Sequence, residues 1–592
     1  MRLTFDLNMT GKNMIEDFRK TAPAPLAPVP FDIPQPFETE LANNLKVVIF
    51  EDSRLPIVSF RLAFLSGNIN DPADSKGLTS AMTSMLSEGT KSYTSRRLAE
   101  EIERLGAHIS ANSGQDNSII AASALSLYTS DILRLMAEIV LYPTFPESEL
   151  KLYKQNMIEN LKFQRSQPGF LADEQMSRVV YGSHPYSVTS PTPDDIEKLT
   201  REKLVEFHNR RFVPNNATLI IVGDVNREDI LEEISGALGD WKKGSVEKTE
   251  FETPPVRTAV TQTIVDRSGS AQSNIVLANL AIERGHPDFF PVLVMNQILG
   301  SGGSSRLFMN LREEKGYTYG AYSSFDTRRQ AGTFEATAEV RTAVTGDSLK
   351  EFFYELNKIR DENVSEVELK DAKNFLTGVF PIRAETQEGL TNLIVSQKLY
   401  DLPGDYLQTY REKISQVSIE DVDRVAKKYI TPDKIAIVIV GDAEEILPQI
   451  QPFSANIEIF DTEGKPQDVS NYGKQADGKT SDASGDWSLT IDFQGQSLPV
   501  KLKLEQTENK ISGSLESMLG KGEISDGKAK GNKFSATAKM QIQGQDAEIT
   551  INGELENDAD SNQTSASNKM KGTISIPLGG VSDLPFVGIK ED

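Results

Sequence analysis

The 592-residue chain contains no cysteine, which excludes disulfides, thiolate metal sites and cysteine nucleophiles. Histidine is nearly absent. His108, His184, His208 and His286 are the only four, and no two lie close enough for a local metal motif. A His-Glu-x-x-His zinc motif is missing in either direction, and so is the Gly-x-Ser-x-Gly elbow of serine hydrolases. No run of about 18 apolar residues occurs, so the sequence holds no candidate transmembrane helix. Positive charge is in deficit, 63 Lys and Arg against 86 Asp and Glu. The net charge of −23 argues against nucleic acid or anionic membrane as partner. The first residues, MRLTFDLNMTGKNMIEDF, lack the basic start and apolar core of a signal peptide. Either the protein stays inside the cell or this start omits an export signal.

What is present reads as a folded protein of roughly three or four domains, with 38% hydrophobic and 25% charged residues. Residues 1–37 form a proline-rich N-terminal arm, extended rather than globular. LKVVIFED (45–52) and IVSFRLAFLSG (57–67) have the composition of strands. GLTSAMTSMLSEGT (77–90) has helical spacing: Leu78, Ala81, Met82, Met85 and Leu86 make one apolar stripe. The opposite side, Thr79, Ser80, Thr83 and Ser84, predicts a polar face made only of small hydroxyls. SRRLAEEIERLGA predicts a helix ending near Gly106, and HISANSGQDNSIIAASAL a hairpin. Asp131–Leu141 and Glu147–Arg165 read as amphipathic helices, the second closed by Pro168.

An internal repeat organises the chain. LTREKLVEFHNRRFVPNNATLIIVGD (199–224) parallels VSIEDVDRVAKKYITPDKIAIVIVGD (417–442). Each is a capped helix, with Thr200 or Ser418 at the N-cap, then a proline turn and an apolar strand ending in Val-Gly-Asp. Residues 38–250 and 251–462 therefore read as two copies of one α/β unit, a pair that forms a cleft. In the second copy, ILGSGGSSRLFMNLREEKGYTYGAYSSF runs from a loop with Gly300, Gly302 and Gly303 into a helix with Leu307, Phe308 and Leu311 on one face, ending at Gly316. Without Gly-Lys-Ser/Thr the loop is not a P-loop, and a plain connector is the competing reading. Residues 463–485 read as a flexible polar linker. Residues 486–592 alternate apolar and polar positions and form a small all-β barrel or sandwich, an accessory domain, with turns at Asp526-Gly527, Gly531-Asn532 and Asn552-Gly553.

NNLKVVIFED, SGNINDPADSKGLTSAMTSMLSEGT, IENLKFQRSQP, the two VGD strands and GSGGSSRLFMNLREEKGYTYGAYS together resemble the M16 peptidases, the pitrilysin/insulinase and processing-peptidase family. The resemblance covers about residues 38–462. It implies an α+β protein with two homologous domains facing a cleft. Carried over by position, the family's two zinc histidines fall on Ser80 and Ser84, its general-base glutamate on Thr83, and its downstream glutamate ligand on Asn160, one residue after Glu159. Hydroxyls and an amide are poor zinc donors, so no metal is expected here and no independent cleavage. The family's arginine and tyrosine, which reach across the cleft to substrate, fall on Arg312 and Tyr319. Both can donate hydrogen bonds to a carbonyl gaining negative charge. The competing reading is a surface charge and a packed ring.

The resemblance implies the non-catalytic subunit of a heterodimeric M16 zinc peptidase, binding peptides or unfolded polypeptide. Arg312 and Tyr319 would complete the site of a partner carrying His-x-x-Glu-His and the zinc. The alternative is a non-enzymatic peptide-binding or scaffold protein on a degenerate M16 fold. Periplasm or cell envelope is the location the resemblance favours. Cytoplasm is the alternative, since the chain shows no signal.

Overall fold

The computed structural model describes residues 31–246, 249–472, 481–493, 496–518, 520–542, 545–555, 568–576 and 581–591. Most of the proline-rich arm and the middle of the linker, residues 473–480, lie outside them.

The repeat gives two sheets of like topology. The first contains β1 (Phe37–Glu40), β2 (Lys46–Glu51), β3 (Ile57–Phe64), β4 (His108–Ser113), β5 (Ser118–Leu125) and β6 (Ala217–Gly223), in the order β1-β2-β6-β3-β5-β4. The second contains β7 (Thr261–Asp266), β8 (Gln272–Ala281), β9 (Thr318–Asp326), β10 (Gly332–Arg341), β11 (Ala436–Gly441), β12 (Ile457–Phe460) and β13 (Pro466–Gln467), in the order β13-β12-β7-β11-β8-β10-β9. Each Val-Gly-Asp strand is apolar along its length because it sits inside its sheet with both faces covered. β6 runs parallel to β2 and antiparallel to β3, and β11 runs parallel to β7 and antiparallel to β8. The N-caps are as read. Thr200 Oγ1 accepts from Lys203 N, and Ser418 Oγ accepts from Asp421 N.

The two halves exchange helices. The Pro168–Tyr181 helix lies within the first half's sequence, before β6, but packs on β8 and β11 of the second sheet. Its Leu171, Ala172, Met176 and Val180 share a core with Val276, Val438 and Val440. In return, the Gln387–Leu399 helix of the second half packs on β3 and β6. Its register is pinned by Gln387 Nε2 donating to the Asp52 carbonyl at 2.9 Å and by Lys398 pairing with Glu38 at 2.6 Å.

Eight strands at the C-terminus close into an antiparallel barrel: β14 (Gly485–Phe493), β15 (Gln496–Thr507), β16 (Lys510–Ser517), β17 (Gly520–Lys530), β18 (Lys533–Ile542), β19 (Gln545–Leu555), β20 (Lys569–Ile576) and β21 (Val581–Lys590). Alternate side chains point inward and fill it, among them Trp487, Leu489, Leu502, Phe534, Ile551 and Phe586. Trp487 Nε1 donates to the Ala483 carbonyl at 2.9 Å.

Several local expectations are corrected. Pro168 does not close a helix but opens the next one at its first position, where the missing N–H costs nothing. Of the expected turns, only Gly531-Asn532 is one, with Gly531 at φ +62 between β17 and β18. Asp526-Gly527 lies inside β17 at a register shift. Asn552-Gly553 lies inside β19, where a Cβ on Gly553 would stand 2.3 Å from the Phe534 ring. In both, the glycine serves an inner surface rather than a bend. The segment read as linker carries β13 and a helical turn at Val469–Asn471 before residue 473.

Candidate functional site

The Leu78–Met85 helix has its apolar stripe buried as the spacing predicts, Leu78, Ala81, Met82, Met85 and Leu86 all being inaccessible. Its polar side, however, is not a solvated face. Thr79 and Thr83 are buried as well, Ser80 is half-buried, and only Ser84 is exposed. The helix start is held by Asp71. One carboxylate oxygen accepts from Gly77 N at 2.7 Å, and the other accepts from Thr79 N at 2.8 Å and Thr79 Oγ1 at 2.6 Å. Burial pushes the Asp71 carboxyl up to about 6, against the pull of these donors.

Two of the three hydroxyls at the motif positions are engaged. Thr83 Oγ1 donates back along the helix, to the Thr79 carbonyl at 2.9 Å and the Ser80 carbonyl at 3.0 Å. Ser80 Oγ lies 3.0 Å from Asn68 Oδ1 and 2.9 Å from Ser113 Oγ on β4. Ser84 stands beside Tyr153 on the Glu147–Arg165 helix, whose phenol burial holds up at about 12. Asn160 lies two turns further along that helix and is exposed. So is Glu159, which pairs with Lys162 at 2.7 Å. A hydrolytic zinc needs three strong protein donors and an open position. Two serines, a threonine spent on backbone carbonyls and an exposed amide do not fit that ion. Among the described residues no cluster of His, Asp and Glu is arranged to hold a metal.

Asn68, Asp71, Ser113 and Tyr153 were not read from the sequence. Only Asp71 carried a signal, as an acid shortly before a glycine and a helix start.

Arg312 and Tyr319 lie in the other half, at the free edge of the second sheet. Two departures from regular backbone set them. Arg312 falls within a π-helical turn, Met309–Glu314, closed by Lys315 N donating to the Asn310 carbonyl at 3.0 Å. Its guanidinium rests 4.8 Å from the Phe308 ring centroid and 3.4 Å from Glu313. Tyr319 and Gly320 together oppose the single residue Glu339 of β10, a β-bulge in the edge strand β9. The bulge turns Tyr319 outward until its residue is 90% exposed. π turns and bulges are both over-represented where a side chain must be aimed. Tyr319 is therefore no packed ring.

The glycines of the 300–303 loop divide. Gly300 faces β9 so closely that a Cβ would stand 2.3 Å from Ser323 N and Ser323 Oγ. Gly303 has room for a side chain, its nearest neighbour being the Phe308 ring at 3.9 Å, while a Cβ on Gly302 would press on the Gln297 amide at 3.3 Å. The loop is thus packed at Gly300 and open at Gly303. The two halves meet through Asp116 of the β4–β5 loop, which accepts from the Tyr186 hydroxyl and from Arg329 N at 3.0 Å. Arg328 beside it lies 4.8 Å from the Tyr186 ring centroid.

Two sheets of repeated topology and a motif helix whose metal positions hold Ser and Thr are the features of an M16-type protein with a degenerate zinc site. The family model for Insulinase (Peptidase family M16) matches residues 46–192, and that for the Peptidase M16 inactive domain matches 198–376. Together they span more than half the chain, which belongs to the M16 peptidase family. It is 22% identical over 407 residues to the non-peptidase homolog YmxG of Helicobacter pylori, covering 68% of this chain and 94% of that one. It is 20% identical over 400 residues to the uncharacterized zinc protease YmxG of Bacillus subtilis, covering 66% and 95%. Among solved structures, a peptidase M16 inactive domain from Pseudomonas fluorescens superposes with a TM-score of 0.65 at 28% identity, covering 69% of this chain and 98% of that one.

Proposed function

We propose that this chain is the non-catalytic subunit of a two-chain M16 zinc peptidase. The observation that carries the reading is Tyr319, 90% exposed on a bulged edge strand seven residues after an Arg312 held on a π turn. A guanidinium and a phenol can supply hydrogen bonds to a carbonyl oxygen as it becomes an oxyanion, and among the described residues no hydrogen bond uses the Tyr319 phenol. Further support comes from the donor-free positions Ser80, Thr83, Ser84 and Asn160, and from relatives called an inactive domain and a non-peptidase homolog. The zinc and the general base then belong to a partner M16 chain with His-x-x-Glu-His. The substrate is a peptide or unfolded segment. β4, at the end of the first sheet and beside the Leu78–Met85 helix, offers free backbone groups to an extended peptide. The cell envelope is the compartment proposed for the pair.

The test is co-expression with such a partner and a peptide-cleavage assay on each chain alone and on the complex. Cleavage should require both. Arg312→Ala or Tyr319→Phe should lower kcat about 10²–10³-fold, the loss typical of one oxyanion donor, with the complex intact by gel filtration. A complex whose activity ignores both substitutions sinks the reading and leaves a peptide-binding scaffold.

A further inference from the structure

A cavity of about 390 Å³ opens between the Pro168–Tyr181 helix and the β7–β12 side of the second sheet. Two arginines enter it. Arg257, from the segment joining the halves, donates through Nη1 to the Val179 carbonyl at 2.7 Å and through Nη2 to Thr261 Oγ1 at 3.4 Å. Its Nε is buried without a partner, and no carboxylate pairs with this guanidinium among the described residues. Burial alone acts on it, lowering its pKa from the ordinary value. Arg178 reaches Glu174 at 3.3 Å, but that carboxylate also serves Arg165 at 3.2 Å. Arg178 gains its place because residue 464 is glycine, where a Cβ would stand 2.7 Å from Nη1.

A desolvated cation without a counter-ion is costly, and Arg257 is one; Arg178, which shares Glu174 with Arg165, brings a second guanidinium to the same cavity, and together they call for an anion. Thr261, Thr263 and Gln175 add neutral hydrogen-bonding groups to the lining, while Val179 and Phe460 add apolar surface. Glu458 lies on the same cavity and is exposed, which opposes a second negative charge. The net charge of −23 gives no long-range attraction for anions, so binding must come from direct contact. We propose that this cavity binds a small organic carboxylate, its charge held by Arg257 and Arg178 and its apolar body against Val179 and Phe460. Occupancy ties together a helix of the first half, the connecting segment and the second sheet.

The experiment is calorimetric titration of the full chain at low ionic strength with sodium benzoate, with inorganic phosphate and sodium chloride in parallel. Saturable benzoate binding with a Kd on the order of 1 mM is expected, with phosphate weaker and chloride silent. Arg257→Gln should weaken benzoate about tenfold while melting no lower than the parent without ligand, since it sheds an unpaired charge and keeps a donor for Val179. Should Arg257→Gln not fold, the half-exposed Arg178→Gln carries the same expectation. Absence of saturable benzoate binding, tighter binding of phosphate, or equal benzoate affinity in the arginine variants would overturn the proposal.

Discussion

At Thr83 the side chain is inaccessible and both carbonyls it reaches belong to its own helix. Thr83→Glu would place a carboxylate there without a cation, and urea denaturation should show a loss of about 3 kcal/mol or more. Rebuilding the motif with Ser80→His, Thr83→Glu and Ser84→His together should still give no stoichiometric zinc by elemental analysis, because Asn160 supplies no carboxylate as the third protein ligand. A second residue-scale expectation concerns Glu335. Burial, with Asp173 and Asp326 adding negative charge, raises its carboxyl above the usual range, against the hydrogen bond from Thr333. The folded chain then keeps a proton that the unfolded chain has released. Stability from this group is greatest below the ordinary glutamate pKa and is lost as pH rises through the folded value. Glu335→Gln should flatten the melting-temperature profile and raise it at pH 8, and a lower melting point there would refute this. The hydroxyl face at Ser80 and Thr83 was legible because helical spacing alone gathers those positions. Its neighbours were not, since Asn68, Ser113 and Tyr153 arrive from a short 3-10 turn, a strand and a distant helix.

At the scale of elements, the caps and close approaches carry separable costs. Ser418→Ala removes a reciprocal cap and should cost about 1 kcal/mol in denaturant titration. Gly300→Ala must push β9 away from the loop, against backbone, and should cost about 2 kcal/mol, whereas Gly303→Ala should be near neutral. Finding the two alanines equal would show that the loop is a slack connector after all. The repeat, its caps and the central strands were readable because apolar runs and Ser/Thr N-caps act locally. The misread Asn552-Gly553 shows the limit. The same dipeptide that makes a tight turn also makes room for an aromatic ring within a strand, and the choice depends on Phe534, a neighbour on another strand.

Across the whole molecule, the helix exchange makes the two halves one folding problem. Residues 31–250 expressed alone lack the Gln387–Leu399 helix that covers β3 and β6, and residues 251–466 lack the Pro168–Tyr181 helix that covers β8 and β11. Each should be insoluble or molten by near-UV circular dichroism alone, and the two should recover native spectra when co-expressed. The barrel has its own closed sheet and core, so residues 481–592 should fold cooperatively by themselves. An amphipathic pattern states that a helix has a sheet to cover but not which one, and for this reason the exchange could not be read in advance. It also imposes an order on synthesis. The Gln387–Leu399 helix is made only after the ~160 residues that follow Gly223. At roughly 5–20 residues per second, one face of the first sheet stands bare on the ribosome for on the order of ten seconds. During that interval the nascent first half is a client for whatever in the cell shields apolar surface. A stalled or truncated message ending before residue 387 releases a chain that has nothing of its own with which to cover it.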